Sequence, residues 1–545
     1  MEILEKNKMN LIKTINYLVV ILISILFFVF LGNLFNYHYE LIKYPYQHEY
    51  REGAPFLLAS EFLKGNFPYT FKNQPYLSDV FGCMYSICSL PFLKLFGVKL
   101  SSMRILSAVS IFLIVIYFFK IQRKQKVSLS QSIVFCVVLY AVNLFSCIPI
   151  VRPDALGFLF FILTIYVPIS YHYSRRSILV SLLFCLLSYF TKSYFIVGFL
   201  FVLISMFLNL SKIRSIKYFL LFILLFVCLL FSIHLVFDFY FIGTFSAQLS
   251  STVNDFYHLL NQLRFYFIDL FILPLTLIIL MFLRTLVLNR STFIQIIENP
   301  IQLKNCFDFK QLKEPFLKTR KIDENILYFV LGLTLIILKL GGHTGQFGVY
   351  LIHFMTFPLL LIVSNKFEYI KKYINPTIVL ISSIVLIYPI YKVLPITNKL
   401  DKTNMNQLSL EIKSKKNVLA TPMLASVLVE QKKFVYASGL TEYFFYVPSF
   451  RNNYGLPSVL AKIKDKLFLK TINDSEIKIA KYLNEIRSKV KNGEFDVVYL
   501  DNSEYDDWLI TKTDLNKRYK FVHRIEVKMI PCYQEYTILK YVLKN

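Results

Sequence analysis

YPYQHEYREGAPFLLASEFLKG, residues 44–65, is an acidic and aromatic stretch placed directly after the first long apolar run of the chain. It does not span a bilayer, and it points to a membrane protein with polar chemistry at its outer face. Pro55 suits the first turn of a helix, Phe56, Leu57, Ala59, Phe62 and Leu63 form an apolar stripe, and Gly65 is a natural stop. The pattern predicts a short helix lying on the membrane. Glu49 and Glu52 stand just before its N-terminus, where the positive end of the helix dipole suits negative charge. Carboxylates held at a membrane face are candidates for taking a proton from a substrate hydroxyl.

Composition agrees with a membrane setting. Hydrophobic residues make up 56% of 545, and apolar runs of about 18 to 22 residues recur, the length that crosses a hydrocarbon core. Spans are predicted at 14–32, 101–119, 130–149, 155–172, 177–191, 194–209, 216–236, 265–287, 326–341, 349–364 and 374–394. The formal net charge of +26 falls in short basic loops between them: KIQRKQK (120–126), HYSRR (172–176), KIRSIK (212–217), the segment 288–325, and NKFEYIKKY (365–373). Placing all of these in the cytoplasm satisfies the positive-inside rule, so membrane orientation, not nucleic acid, accounts for the excess. About eleven spans then put the first loop and residues 396–545 on the same outer face. The apolar run 80–96 would reverse every later loop if it crossed; it contains Pro91 and Lys94 and is read as a re-entrant or interfacial segment. The eight cysteines form no C-x-x-C pair, so neither zinc nor a disulfide framework is indicated.

More polar residues reach the outer face in this topology. Arg152 and Asp154 flank Pro153 in VRPDALGFLFF, Lys192 stands in FTKSYF, and His343 and Gln346 lie in the glycine-rich turn GGHTGQFGVYLIHF (341–354). Asp79 is a weaker candidate at the same face. These residues place cations and hydrogen-bond donors opposite two carboxylates, an inventory suited to holding a phosphate while a nucleophile loses its proton. The bland alternatives are that Glu49 and Glu52 are solvated loop charges, that Arg152 and Lys192 are interfacial anchors, and that His353 is a packed histidine.

Residues 1–395 resemble the C-class (GT-C) membrane glycosyltransferases, in particular the bacterial group that contains mannosyltransferases and lipid A aminoarabinose transferases. The resemblance rests on the order and spacing of YPYQHEYREGAPFLLASEFLKGNFPY (44–69), PYLSDVFGCMYSICSLPFLKLFG (75–97), SSMRILS (101–107), VRPDALGFLF (151–160) and FTKSYF (190–195). It implies an essential acid in the first outer loop (33–100), matched here by Glu49 with Glu52 in the following Glu-Gly pair, where the family usually has Asp. It also implies a polyprenyl phosphate sugar as donor, a lipid, glycan or protein as acceptor, inversion at the sugar, and Arg152, Lys192 and His343 beside the donor phosphate. No metal or other cofactor is indicated.

Residues 396–545 read as a separate soluble α/β domain. Strands are predicted at 418–421, 434–437, 495–500, 520–527 and 536–542, with an amphipathic helix over 476–490. No glycine-rich phosphate loop appears there. Two other classes compete: a polysaccharide ligase or polymerase using a lipid diphosphate donor, and a lipid-linked sugar flippase, which would call for paired halves with interrupted helices. The single tryptophan, Trp508, argues against an oligosaccharyltransferase.

Overall fold

A computed structural model describes residues 25, 28–145, 150–244, 256–264, 323–340, 352–370, 402–448, 458–501, 509–510, 512–528 and 535–544. These residues form a mostly helical body followed by a C-terminal domain with one small sheet. A first helix, α1, runs over 28–43. It is followed by α2 (Gly53–Leu63), α3 (Met84–Phe96), α4 (Leu100–Lys124), α5 (Leu129–Phe145), α6 (Asp154–Ser170), α7 (Arg175–Thr191), α8 (Val197–Asn209) and α9 (Lys212–Val236). After α10 (Phe256–Arg264) come α11 (Glu324–Leu335) and α12 (Phe357–Ile370).

Two of these helices, α4 and α9, are long and apolar enough to cross a bilayer; the other apolar helices are shorter. The expectation of about eleven spans is therefore matched by helices at most of its positions, but not by eleven helices of spanning length. The expected spans 265–287 and 374–394 lie outside the described residues, as does most of 14–32. In α9 only Ser215, Tyr218 and Phe222 are buried, while Ile216, Leu220, Leu224, Val227, Phe231 and Leu235 are exposed. A surface that apolar is stable only against lipid or another apolar partner.

The central helix is α6. It is apolar on all sides and buried along most of its length, packed against α4, α7 and α8. Pro153 precedes its first turn, and Asp154 supplies the acid that the helix N-terminus favours. Gly157 lets the ring of Phe195 approach, since a Cβ there would lie 2.5 Å from it. This draws the turn after α7, which carries Lys192, against the start of α6. Gly82 is equally constrained: a Cβ would overlap the backbone of Phe190, and its N–H donates to Thr191 O at 3.1 Å. The run 80–96 is thus a close-packed entry followed by the 13-residue helix α3, about 20 Å long, too short to cross.

The expected helix after Pro55 forms as α2, with Gly65 at φ +81 just beyond its end. It does not present a stripe to a membrane surface. Residues 53–60 are all buried, because α3 packs on one side and the C-terminal domain on the other.

In that domain β1 (Val418–Ala420) pairs in parallel with β2 (Val497–Asp501), and β2 and β3 (Tyr519–Lys528) both pair antiparallel with β4 (Glu535–Leu543), giving the order β1-β2-β4-β3. Helices α13 (Thr403–Ser414), α14 (Ala425–Glu430), α15 (Ser458–Lys491) and α16 (Lys512–Arg518) accompany the sheet. The expected strand at 434–437 is absent. Phe434 and Tyr436 instead pack edge-on with Tyr76, Phe495 and each other, with aromatic packing where ladder pairing was expected.

Candidate functional site

Glu49 and Glu52 stand three residues apart and have opposite environments. The Glu52 carboxylate is completely buried and is held by Arg104, whose Nε donates to Oε1 at 3.0 Å and whose Nη2 donates to Oε2 at 2.8 Å. The backbone N–H of Val151 also donates to Oε1, at 2.7 Å, and that of His48 to Oε2. Arg104 uses its remaining donors on the carbonyls of Leu41, Tyr44 and Tyr46. One ion pair thereby ties α1, the first loop, α4 and the entry to α6 together. Burial pushes the Glu52 pKa up, but Arg104 and the other donors outweigh it and leave the carboxyl below its usual range. Glu52 has no solvent-facing lone pair with which to meet a substrate.

Glu49 keeps 14% of its side chain exposed, and Arg152 Nη1 reaches both of its carboxylate oxygens, at 3.2 and 3.3 Å. The contacts then run inward without a break. Arg152 Nε lies 3.0 Å from Asp154 Oδ2, and Lys192 Nζ donates to Asp154 Oδ1 at 2.7 Å. The Lys192 ammonium sits between the rings of Phe81 and Tyr194, with its nitrogen 5.0 and 5.1 Å from their centroids. The result is a row of alternating charge, Glu49, Arg152, Asp154 and Lys192, that runs from a half-open end to a closed one.

Burial lowers the Lys192 pKa, and Arg152 and Arg51 lower it further; Asp154 opposes them, and the balance lies at about 8. This lysine therefore titrates near physiological pH, as groups at functional sites often do.

His353 is fully buried, as the packed-histidine reading expected. It belongs to a π-helical turn, Ile352–Thr356, a local distortion common at functional positions. Its ring packs on Phe158 and Phe195 with centroids 4.7 and 5.0 Å away, and Nδ1 lies 3.0 Å from the Tyr194 hydroxyl beside Lys192. Arg104 had a signal in the sequence: a cation inside an apolar run requires a buried carboxylate. His343 and Gln346 lie outside the described residues.

Asp79 is buried beside Phe81. It accepts from the Tyr69 hydroxyl and from Phe81 N–H, both at 2.9 Å. Burial raises its pKa from 3.8 to about 7, against the pull of those hydrogen bonds. Between these values the folded chain binds more protons than the unfolded one, so Asp79 removes stability as pH rises toward about 7 and nothing further above it. The difference in melting temperature between wild type and Asp79→Asn is expected to change across pH 4 to 7 in that sense and to level off beyond; a difference constant with pH would refute the assignment.

No family model, curated protein or solved structure matches the chain.

Proposed function

We propose that the chain is a multi-pass membrane glycosyltransferase of the C-class type, with its site and its C-terminal domain on the extracytoplasmic face. It moves a sugar from a polyprenyl phosphate to a lipid, glycan or protein acceptor. The observation that carries this reading is the row Glu49, Arg152, Asp154, Lys192, which sets one accessible carboxylate beside two buried cations at the end of an apolar helix bundle. The apolar surface of α9 supports the membrane setting, and the basic loops give the orientation.

Glu49 is the base and Glu52 is the clamp. The Glu49 carboxylate takes the proton of the acceptor hydroxyl as its oxygen bonds to the anomeric carbon, and the bond from that carbon to the phosphate oxygen breaks. Attack from the face opposite the phosphate inverts the sugar. The lipid phosphate departs with the bonding electrons, and Arg152 and Lys192 compensate the charge that develops on it. Asp154 holds both cations in place until the phosphate arrives.

The test is transfer from a panel of radiolabelled lipid monophosphate and lipid diphosphate sugars, in membranes that contain the chain. Transfer of one sugar from a monophosphate supports the reading; transfer from diphosphates alone would replace it with the ligase reading. With a working donor, kcat/KM is expected to fall as pH rises through about 8, where Lys192 loses its charge. Lys192→Met should lower kcat/KM and abolish that limb of the profile.

A further inference from the structure

We propose that Gln47 is a positioning residue through which the C-terminal domain fixes the loop that carries Glu49. The catalytic part of this proposal rests on the function proposed above.

Gln47 is buried at the meeting of three segments. Its Nε2 donates to the carbonyls of Glu49 at 3.1 Å, Tyr50 at 3.2 Å and Pro422 at 3.2 Å, and its Oε1 accepts from Ser426 N–H at 2.8 Å. Pro422 opens the turn that follows β1, and Ser426 lies in the first turn of α14. An amide suits this place because it can donate and accept from one planar group. A carboxylate would meet three carbonyls with no proton to offer them, and an apolar side chain would take the acceptor from Ser426 N–H and a donor from all three carbonyls.

Two glycines show how closely the parts fit. A Cβ on Gly53 would lie 2.6 Å from that of Ala425 and 2.9 Å from Gln47 Oε1. Gly439 has φ +89, and a Cβ there would lie 2.5 Å from Tyr50 O. The next residue, Leu440, is fully buried in a cluster with Ala54, Leu58, Phe81 and Phe190, and Phe81 is the ring beneath Lys192. The C-terminal domain therefore grips the Glu49 loop from two directions. Gln47 bonds to the backbone of Glu49 and to the domain at once.

Hydrogen exchange and kinetics on the full-length protein test this, comparing wild type with Gln47→Glu and Gln47→Met. Either variant suffices if the other fails to fold. Exchange of the amides at 49–53 is expected to quicken about tenfold in both variants as the loop opens locally. The Ser426 amide should stay protected in the Glu variant, which keeps the acceptor, and lose protection in the Met variant. With a working donor, kcat is expected to fall about ten- to a hundredfold, because a proton acceptor displaced by about 1 Å is inefficient. The donor KM, set by Arg152 and Lys192, should hold. Unchanged exchange at 49–53 would overturn the clamp. Quickened exchange with unchanged kcat, or a raised KM with unchanged kcat, would overturn the positioning role while the proposed function stands. Should wild type transfer from no donor, that function fails and the positioning role falls with it, whereas exchange alone still decides the clamp.

Discussion

Glu49→Gln is expected to lower sugar transfer about a hundred- to ten-thousandfold, the usual worth of a placed general base. The substitution is nearly isosteric, and the amide oxygen can still accept from Arg152 Nη1, now 3.2 Å from the carboxylate. What is lost is the ability to take a proton, so kcat should collapse while donor binding changes little. Glu52→Gln is the control. Its carboxylate touches Arg104 and two backbone amides and no solvent, so the variant should reduce the amount of folded protein and not the turnover of each folded molecule. The two are compared by initial rates normalised to folded protein, with donor binding measured separately. Full activity in Glu49→Gln would remove Glu49 from the reaction.

The contrast between the two acids marks where sequence reading ends. Periodicity and the breakers Pro55, Gly65 and Pro153 located α2 and the start of α6, because those signals act within a few residues of themselves. The sheet was legible for the same reason: VVYLD and the strands at 519–528 and 535–543 are β-branched and aromatic runs. At the expected strand 434–437, Phe434 packs on Tyr76 across the domain boundary and Tyr436 on Phe495, contacts that no local pattern reports. The site divides in the same way. Arg152, Asp154 and Lys192 could be listed from the sequence as outer-face groups, but not their order in a row. Which of Glu49 and Glu52 faces outward depends on Arg104, 52 residues further along the chain, so spacing gave the two acids equal standing. The amphipathic stripe of α2 was real as a pattern; its partners are α3 and the C-terminal domain, where a membrane surface was expected.

The largest effect on stability is expected at the clamp itself. Arg104→Met would leave the Glu52 carboxylate buried without its cation and the carbonyls of Tyr44 and Tyr46 without the guanidinium donors, with Leu41 O keeping only His48 Nε2. Removing one partner of a fully buried pair typically costs about 3–5 kcal/mol, enough to consume a large part of the stability of a folded domain. Glu52→Leu should cost a comparable amount, since it strands the guanidinium. The double variant discriminates between a pair that adds net stability and one that mainly fixes geometry. If Arg104 and Glu52 chiefly neutralise each other, the double variant should be more stable than the sum of the two single changes, with a coupling of about 0.5–3 kcal/mol. Additive losses in denaturant unfolding of the detergent-solubilised protein would mean that each residue acts through other contacts. Recovery of stability in the double variant need not bring recovery of activity. The loop from Leu41 to Glu52 would then have lost the guanidinium that holds three of its carbonyls, and Glu49 stands on that loop.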